Sequence, residues 1–411
     1  MTRSVIADSI RRIAGGAVLD DSASERYAVV GVVPSAVVAP ANAEQVAEVL
    51  SLCTNNGWTV EAAGAGTWLG AGKRPARVDV VLSTQNLTHI AEYEPADLTI
   101  GTGPGLALDK LQRETARHRQ YLPLDPPGDM RGTVGATFAT ASAGPLRLSQ
   151  GTPRDHALGL EIVTGDGRTL RLGGRVVKNV AGYDLVRLVV GSRGTLGVIT
   201  RLHVRLRSVP LRDVTLMFAA ESPGPLLDLC AIIHARVRPC ALELLSPSLS
   251  ERLLDDARWS IAVRVQGNDE AVRDAQDRLR ALMHDDKAPS HAHRPNPRAL
   301  IASEGATLWA ALADLEARAS VMIRIADLPS RLPDTLSAGA AIVRRATVAS
   351  AATMPAWFIA LHAGNGILRL WREDPPRSAE AAAAAEGVVE ARRSVGENGG
   401  SVHVSPGARA L

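Results

Sequence analysis

Three stretches of this chain set small residues where a backbone could approach a ligand closely. Residues 64–72 read GAGTWLGAG, and residues 133–144 read TVGATFATASAG. Residues 175–200 read RVVKNVAGYDLVRLVVGSRGTLGVIT, placing Lys178, Asn179 and Asp184 ahead of Gly191, Gly194 and Gly197. A glycine loop leaving a strand can turn its N–H groups onto a phosphate. A lone G-x-G is more often just a tight turn, and runs of small residues also suit close helix packing. Several such segments within roughly 140 residues weaken that structural account. A nicotinamide site would need G-x-G-x-x-G opening a helix, with an acid about 20 residues on. Here the glycines stand at 64, 66 and 70, so the third is one place late. A strand follows instead of a helix, and Asp79 comes too early, which disfavours that reading.

These loops need a frame. Val46, Val49, Leu50 and Cys53 have helical spacing, and Asn42 with Gln45 resembles a capping box. The spacing predicts a helix over 43–55, stopped by Asn56 and Gly57. Strands are expected at 58–62 and 78–83, on either side of the first glycine loop. A strand and glycine turn at 98–106 lead into a helix over 107–118. Residues 157–173 read as a hairpin turning at Gly165-Asp166-Gly167. Residues 198–209 alternate as a half-buried strand should. After Pro210 a β-α-β-β-α pattern runs through 259–267 (WSIAVRVQG) and a helix over 268–283. A comparable pattern recurs through 321–325, 357–361, 367–371, a helix over 377–394 and 401–404. This predicts an antiparallel sheet with helices on one side, and a domain boundary near 210.

The bulk numbers narrow the function. At 411 residues and 46% hydrophobic, the chain can bury two or three cores. Its charge is +3, with the basic residues dispersed and only 13 aromatics, so no nucleic-acid platform is visible. Only Lys73, Lys110, Lys178 and Lys287 are lysines, which makes a lysine inside the third motif notable. Cys53, Cys230 and Cys240 are far apart, which fits neither a disulfide framework nor an iron–sulfur cluster. MTRSVIADSIRRIAGG has no apolar signal region, and VVGVVPSAVVAPA is too short to cross a bilayer. A cytoplasmic protein is expected, without direct membrane insertion; any membrane association would come through a partner.

With these motifs on the page, the chain resembles the vanillyl-alcohol oxidase (PCMH-type) FAD-binding family over roughly residues 30–209. GAGTWLG is similar to that family's pyrophosphate loop, TVGATFATASAG to its T-x-G-G segment with Ala136 at the second glycine, and GSRGTLGVIT to its closing motif. Within the family, DPP…GTPRD…KNVAGYDL is similar to the small flavin subunits of glycolate oxidases. The resemblance implies an α+β fold. It would be a two-subdomain FAD-binding domain over 1–210 (subdomains about 30–85 and 86–210), then an α+β cap domain over 211–411 with a ferredoxin-like antiparallel sheet.

The resemblance also implies roles for residues. FAD would be held by Gly64, Ala65, Gly66, Thr67, Trp68 and Leu69, by Pro126, and by Thr133, Gly135, Ala136, Ala139, Ala143 and Gly144. Asp155, Lys178, Asn179, Gly197, Val198 and Ile199 complete the set. Gly191, Gly194 and Gly197 would let the backbone lie against the flavin. Thr67 and Trp68 stand where some members carry an attaching histidine, so the FAD would be non-covalent. Oxidation of a 2-hydroxy acid needs a cation for the carboxylate and a base or metal for the hydroxyl. HAGNGILR (362–369) is similar to a metal motif H-A-G-D-G-N-x-H, but Asn365 replaces the acid and Arg369 the second histidine. No metal site is expected. His362 would then meet substrate or flavin, or simply cap a strand; Arg369 would anchor a carboxylate or face solvent; Lys178 would pair with cofactor or acid. The chain ends without a segment like D-P-x-G-x-F-N-P-G-R, which makes catalysis by this chain alone less expected. The reading is a glycolate-dehydrogenase subunit working beside a larger flavin subunit and an iron–sulfur subunit. The alternatives are an electron-relay subunit, or a free-standing oxidoreductase of another hydroxy acid or alcohol.

Overall fold

A computed structural model describes residues 3–70, 72–128, 130, 132–174, 183–284, 298–348, 357–397 and 399–406. The chain divides into two compact units, the first built on residues 1–144 and 151–209, the second on 145–150 and 210–407.

In the first unit, Asn42 accepts from the Gln45 N–H while the Gln45 side chain accepts from the Ala41 N–H. Both ends of that reciprocal cap fix the start of the helix Ala43–Asn55. Its buried Val46, Val49, Leu50 and Cys53 pack on β1 (Ala36–Val38), β2 (Val60–Ala63) and β3 (Val80–Ser83). These strands are parallel, in the order β1-β3-β2, which leaves β2 at an edge. The helix Arg3–Ala14 joins the same core through Ile6 and Ile10, so this subdomain starts well before residue 30. A five-stranded antiparallel sheet follows. It contains β4 (Ile90–Glu94), β5 (Thr99–Thr102), β7 (Ala157–Val163), β8 (Thr169–Gly173) and β9 (Val198–Arg205), in the order β4-β5-β9-β7-β8. The short β6 (Gln120–Tyr121) pairs with β10 (Arg207–Ser208). Ile100, Leu111, Phe138, Leu160 and Leu202 form this sheet's core with the helices Leu108–Ala116, Val134–Thr140 and Leu185–Val189.

The second unit holds one eight-stranded sheet. Its strands are β11 (Arg212–Ala220), β12 (Ala241–Leu245), β13 (Trp259–Gly267), β14 (Arg298–Leu300), β15 (Val321–Ala326), β16 (Phe358–His362), β17 (Ile367–Arg372) and β18 (Ser401–Pro406). The order β14-β11-β13-β12-β16-β17-β15-β18 is two β-α-β-β-α-β halves, each with its fourth strand beside its first, joined at β12 and β16. All pairings in it are antiparallel.

The helices do not keep to one side, as the sequence pattern suggested. Leu242, Leu244, Ile359, Leu361 and Leu368 face the helices Pro223–Arg236, Asp269–His284, Leu332–Val348 and Ser378–Gly396. Ala241, Leu245, Phe358, Ala360 and Trp371 face Pro247–Leu254 and Ala302–Ala317 on the opposite side. Alternate residues point to opposite faces of a strand, so the apolar runs ALELL and FIALH, buried throughout, demand cover on both.

Candidate functional site

A cleft of about 810 Å³ opens within the first unit. Its walls are the edge strand β2 with Glu61, Ala62 and Ala63, the loop residues Gly64, Gly66, Thr67, Trp68 and Leu69, and Thr84 just beyond β3. Pro104, then Gly135, Ala136, Ala139 and Thr140 of the helix Val134–Thr140, form another side. Ser192, Arg193, Gly194, Gly197, Val198 and Ile199 close it. Three separate glycine segments therefore converge on one cleft.

The loop is fastened from below. The buried Tyr27 hydroxyl contacts Gly64 O (3.3 Å), Ser83 Oγ (3.0 Å) and Gln85 Oε1 (2.9 Å). Ser83 also donates to Gly64 O at 3.0 Å. Gly66 then turns at φ +84°, a conformation that glycine alone adopts without cost. Most of the other glycines do something different from what the sequence suggested. A Cβ on Gly64 would lie 2.2 Å from Thr133 Oγ1, one on Gly135 2.4 Å from Pro104 Cβ, and one on Gly194 3.1 Å from Ala62 Cβ. On Gly191 it would lie 3.3 Å from Ala141 Cβ. Gly197, at φ +152°, would meet Val163 O at 2.7 Å. These glycines let the walls close on one another; they shape the cleft rather than leave open room in front of a ligand.

What remains exposed to the cleft suits FAD. The Thr67 and Ser192 hydroxyls and the Arg193 guanidinium are donors for a diphosphate, whereas Thr84 and Thr140 donate their hydroxyls to Ala63 O and Ala136 O. Leu69, Pro104, Val198 and Ile199 give apolar walls for rings. Burial raises the Glu61 carboxyl above the ordinary glutamate range.

The expected cofactor residues divide accordingly. Gly64, Gly66, Thr67, Trp68, Leu69, Gly135, Ala136, Ala139, Gly197, Val198 and Ile199 line the cleft. Ala65 is exposed, and Thr133 is a buried N-cap accepting from the Ala136 N–H, so neither is in the wall. Pro126, Ala143 and Gly144 lie outside it; Gly144 donates to Asp125 Oδ1 at 3.1 Å and ties a loop. Asp155 caps its own helix by accepting from Thr152 N and Oγ1. Burial alone would raise its carboxyl, but those hydrogen bonds outweigh it and hold the carboxyl low. Lys178 and Asn179 lie outside the described residues. Glu61, Ala62, Ala63, Thr84, Pro104, Thr140, Ser192, Arg193 and Gly194 line the cleft without having been singled out as cofactor contacts, except for Gly194.

His362 and Arg369 sit in the second unit, buried. His362 Nδ1 and Arg369 Nη2 both contact the Glu243 carboxylate, and Arg369 Nη1 pairs with Glu316. A carboxylate only accepts, so Nδ1 carries the proton. The solvent-facing alternative for Arg369 is thereby corrected, because two buried acids draw it inward. Burial, then the charge of Glu243, also pushes the Cys230 thiol up. Among the described residues no group of three or more His, Cys, Asp or Glu is placed to hold a metal ion. No described helix is long and apolar enough to cross a membrane.

Comparisons with known proteins agree with the cleft. Residues 34–173 match the FAD binding domain family. The chain is 34% identical over 213 residues to glycolate oxidase subunit GlcD of Bacillus subtilis, covering 52% of this chain and 45% of that protein. It is 36% identical over 229 residues to a D-lactate dehydrogenase of Archaeoglobus fulgidus, covering 54% and 50%. It is 34% identical over 192 residues to glycolate oxidase subunit GlcE of Escherichia coli, covering 46% and 51%. The matches thus span about half the length of these curated relatives. Among solved structures, an alkyldihydroxyacetonephosphate synthase superposes with a TM-score of 0.72 at 15% identity, over 97% of this chain and 80% of that one. A 4-ethylphenol oxidase from Gulosibacter chungangensis also gives 0.72, at 14% identity, over 97% and 88%. At such identities the likeness concerns the fold alone, which is α+β and PCMH-type.

Proposed function

We propose, from the premise that residues 34–173 are an FAD-binding domain, that this chain is a flavin subunit of a 2-hydroxy acid dehydrogenase converting glycolate to glyoxylate. The observation that carries the reading is the cleft in which three glycine segments meet. The relatives named for glycolate and D-lactate support the substrate class. Bound FAD would supply the hydride acceptor for a CH–OH donor. The chain's residues supply its seat: Thr67, Ser192 and Arg193 for the diphosphate, and Leu69, Pro104, Val198 and Ile199 for the rings. Among the described residues no histidine lines the cleft, and Thr67 and Trp68 occupy the loop, which supports non-covalent attachment in this proposal.

In this proposal residues 1–210 are the flavin domain and 211–411 the cap over the substrate. His362 and Arg369 hold the cap together, and Lys178 pairs with charge on cofactor or acid. Cys53, Cys230 and Cys240 are buried thiols far apart in the sequence, so in this proposal onward electron transfer falls to an iron–sulfur subunit, beside a larger flavin subunit. The complex would be cytoplasmic, peripheral to the inner membrane through those partners. The test is direct. Purified protein should show oxidised-flavin absorbance, and acid should release the flavin. Anaerobic mixing with glycolate and, separately, D-lactate should bleach the band, alone or once the partner subunits are added. A colourless chain that does not bind added FAD, or a flavin that no hydroxy acid reduces even in the complex, sinks the proposal.

A further inference from the structure

One acid stands in the wall of the cleft. Glu61 lines it from β2 and is half-buried. It lies opposite Val81 on β3, on the strand face that it shares with Ala63. Val81 and Ala63 belong to an apolar cluster with Tyr27, Val29, Val37 and Leu69. β2 is an edge strand, so no further strand covers Glu61 on its open side. Among the described residues no hydrogen bond or ion pair reaches its carboxyl, which burial raises. The ionisable groups on the neighbouring elements are engaged with others. Asp79, on the same face of β3, accepts from Thr59 and pairs with Arg77. The Tyr27 hydroxyl is at Gly64, Ser83 and Gln85, and Arg26 lies over its ring. Arg193 is the other charged residue among those that line the cleft, and its charge does not shift the Glu61 carboxyl. A ligand seated here strips more water from that carboxyl, so it must offer a donor or leave the acid to take up a proton. The FAD diphosphate is no partner for it, since two anions repel. On both sides of that diphosphate FAD carries hydroxyls, on the ribose toward adenine and on the ribityl chain toward the flavin. β2 runs directly into the loop of Thr67, which the proposed seat assigns to the diphosphate.

We propose that the Glu61 carboxylate accepts hydrogen bonds from the sugar hydroxyls of FAD beside its diphosphate. Acids hold ribose in dinucleotide-binding folds by the same pairing, two carboxylate oxygens against a diol. The inference rests on FAD as the ligand of this cleft and makes Glu61 a positioning residue for it.

The experiment is titration of FAD into the deflavinated full chain, followed by flavin fluorescence. At about pH 8 Glu61→Gln should weaken FAD about tenfold, because an amide oxygen replaces a charged acceptor. Glu61→Asp, which keeps the charge on a shorter arm, should fall between wild type and Gln. Glu48→Gln, at an exposed position of the helix Ala43–Asn55, should change nothing. Binding favours the ionised carboxyl, so wild-type affinity should rise as pH rises above the ordinary glutamate range, and in Glu61→Gln it should stay flat. Without FAD, Glu61→Gln should melt no lower than wild type, which separates lost binding from lost folding. ADP and FMN then locate the hydroxyls: a penalty in Glu61→Gln with ADP assigns the ribose, and one with FMN the ribityl chain. If the ADP penalty is undiminished in analogues lacking either ribose hydroxyl, the adenine amine is the donor and the proposal falls. Equal FAD affinity in wild type and Glu61→Gln also overturns it. So does an affinity that falls with rising pH and flattens in Glu61→Gln, because the acid then works protonated. If wild type binds no FAD, the reading of the cleft falls as well. If FAD binds through Glu61 but neither glycolate nor D-lactate bleaches it, the role of Glu61 stands and the hydroxy-acid reading falls.

Discussion

Glu243→Gln should destabilise the second unit severely while leaving the flavin cleft intact. Glu243 takes a donor on each carboxylate oxygen, His362 Nδ1 on one and Arg369 Nη2, at 2.5 Å, on the other. Glutamine offers one oxygen and one NH₂, so one of these contacts becomes donor against donor. Removing one partner of a buried ion pair costs about 3–5 kcal/mol. Arg369 keeps Glu316, which puts the loss nearer the lower end, at about 3–4 kcal/mol. The unit has roughly 200 residues. At about 2.1 cal/mol/K per residue its unfolding entropy is about 0.4 kcal/mol/K, so Tm should fall by about 8–10 °C. Scanning calorimetry reads the transition, and bound flavin at low temperature should be unchanged. Arg369→Met should cost at least as much, since it leaves Glu243 and Glu316 without their shared cation. The double variant should cost less than the sum of the two singles. A Tm drop of less than about 3 °C for Glu243→Gln would refute the view that this network holds the fold.

Three further outcomes are expected. Gly197→Val should purify with little flavin, because φ +152° and a Cβ 2.7 Å from Val163 O force the cleft wall apart; normal flavin absorbance would contradict that. Glu61 is held above its ordinary pKa by burial, so folding stability it permits below the usual glutamate range is lost as pH rises through the raised value. Glu61→Gln should therefore raise the melting temperature of flavin-free protein at about pH 7 and do little at about pH 4. Cys53, Cys230 and Cys240 are buried; burial, then Asp79, pushes Cys53 up to about 12. A chromogenic disulfide should find almost no reactive thiol in native protein and all three after denaturation.

Local signals in the sequence predicted local structure well. The Asn42–Gln45 cap, the Gly165–Gly167 turn and the alternation of Ile261, Val263 and Val265 are decided within a few residues, and the corresponding elements form as read. The glycine segments likewise marked the cleft. What escaped was set by distant chain. Tyr27 fastens a loop 37 residues on, through Gly64. Glu243 captures His362 across 119 residues, and no spacing rule connects them. Apolar runs such as ALELL say that two faces are buried but not which helices cover each. The edge strand β2 contributes Glu61 to Ala63 to the cleft because nothing pairs beyond it, which depends on sheet order and not on residue type.

The join between the two halves of the large sheet has its own consequence. A chain that contains the same topology twice has a second way to assemble, since either half can also find its counterpart in a neighbouring molecule, although the tether favours its own. Among the described residues three opposed pairs span the join in register, and two of them, Leu244 with Leu361 and Leu245 with Ala360, are apolar and tolerant of a slip. The third, Glu243 with His362, is not. Shifting the halves by one residue would turn that carboxylate to the opposite, aliphatic face and strand it there. The buried charge therefore acts as an alignment pin, a role for which a few kcal/mol of desolvation is a recurrent cost. Chains with Glu243, Glu316, His362 and Arg369 replaced together by aliphatic residues should keep the sheet but lose its unique register. They should then exchange halves between molecules and run as mixed monomers and dimers on a sizing column.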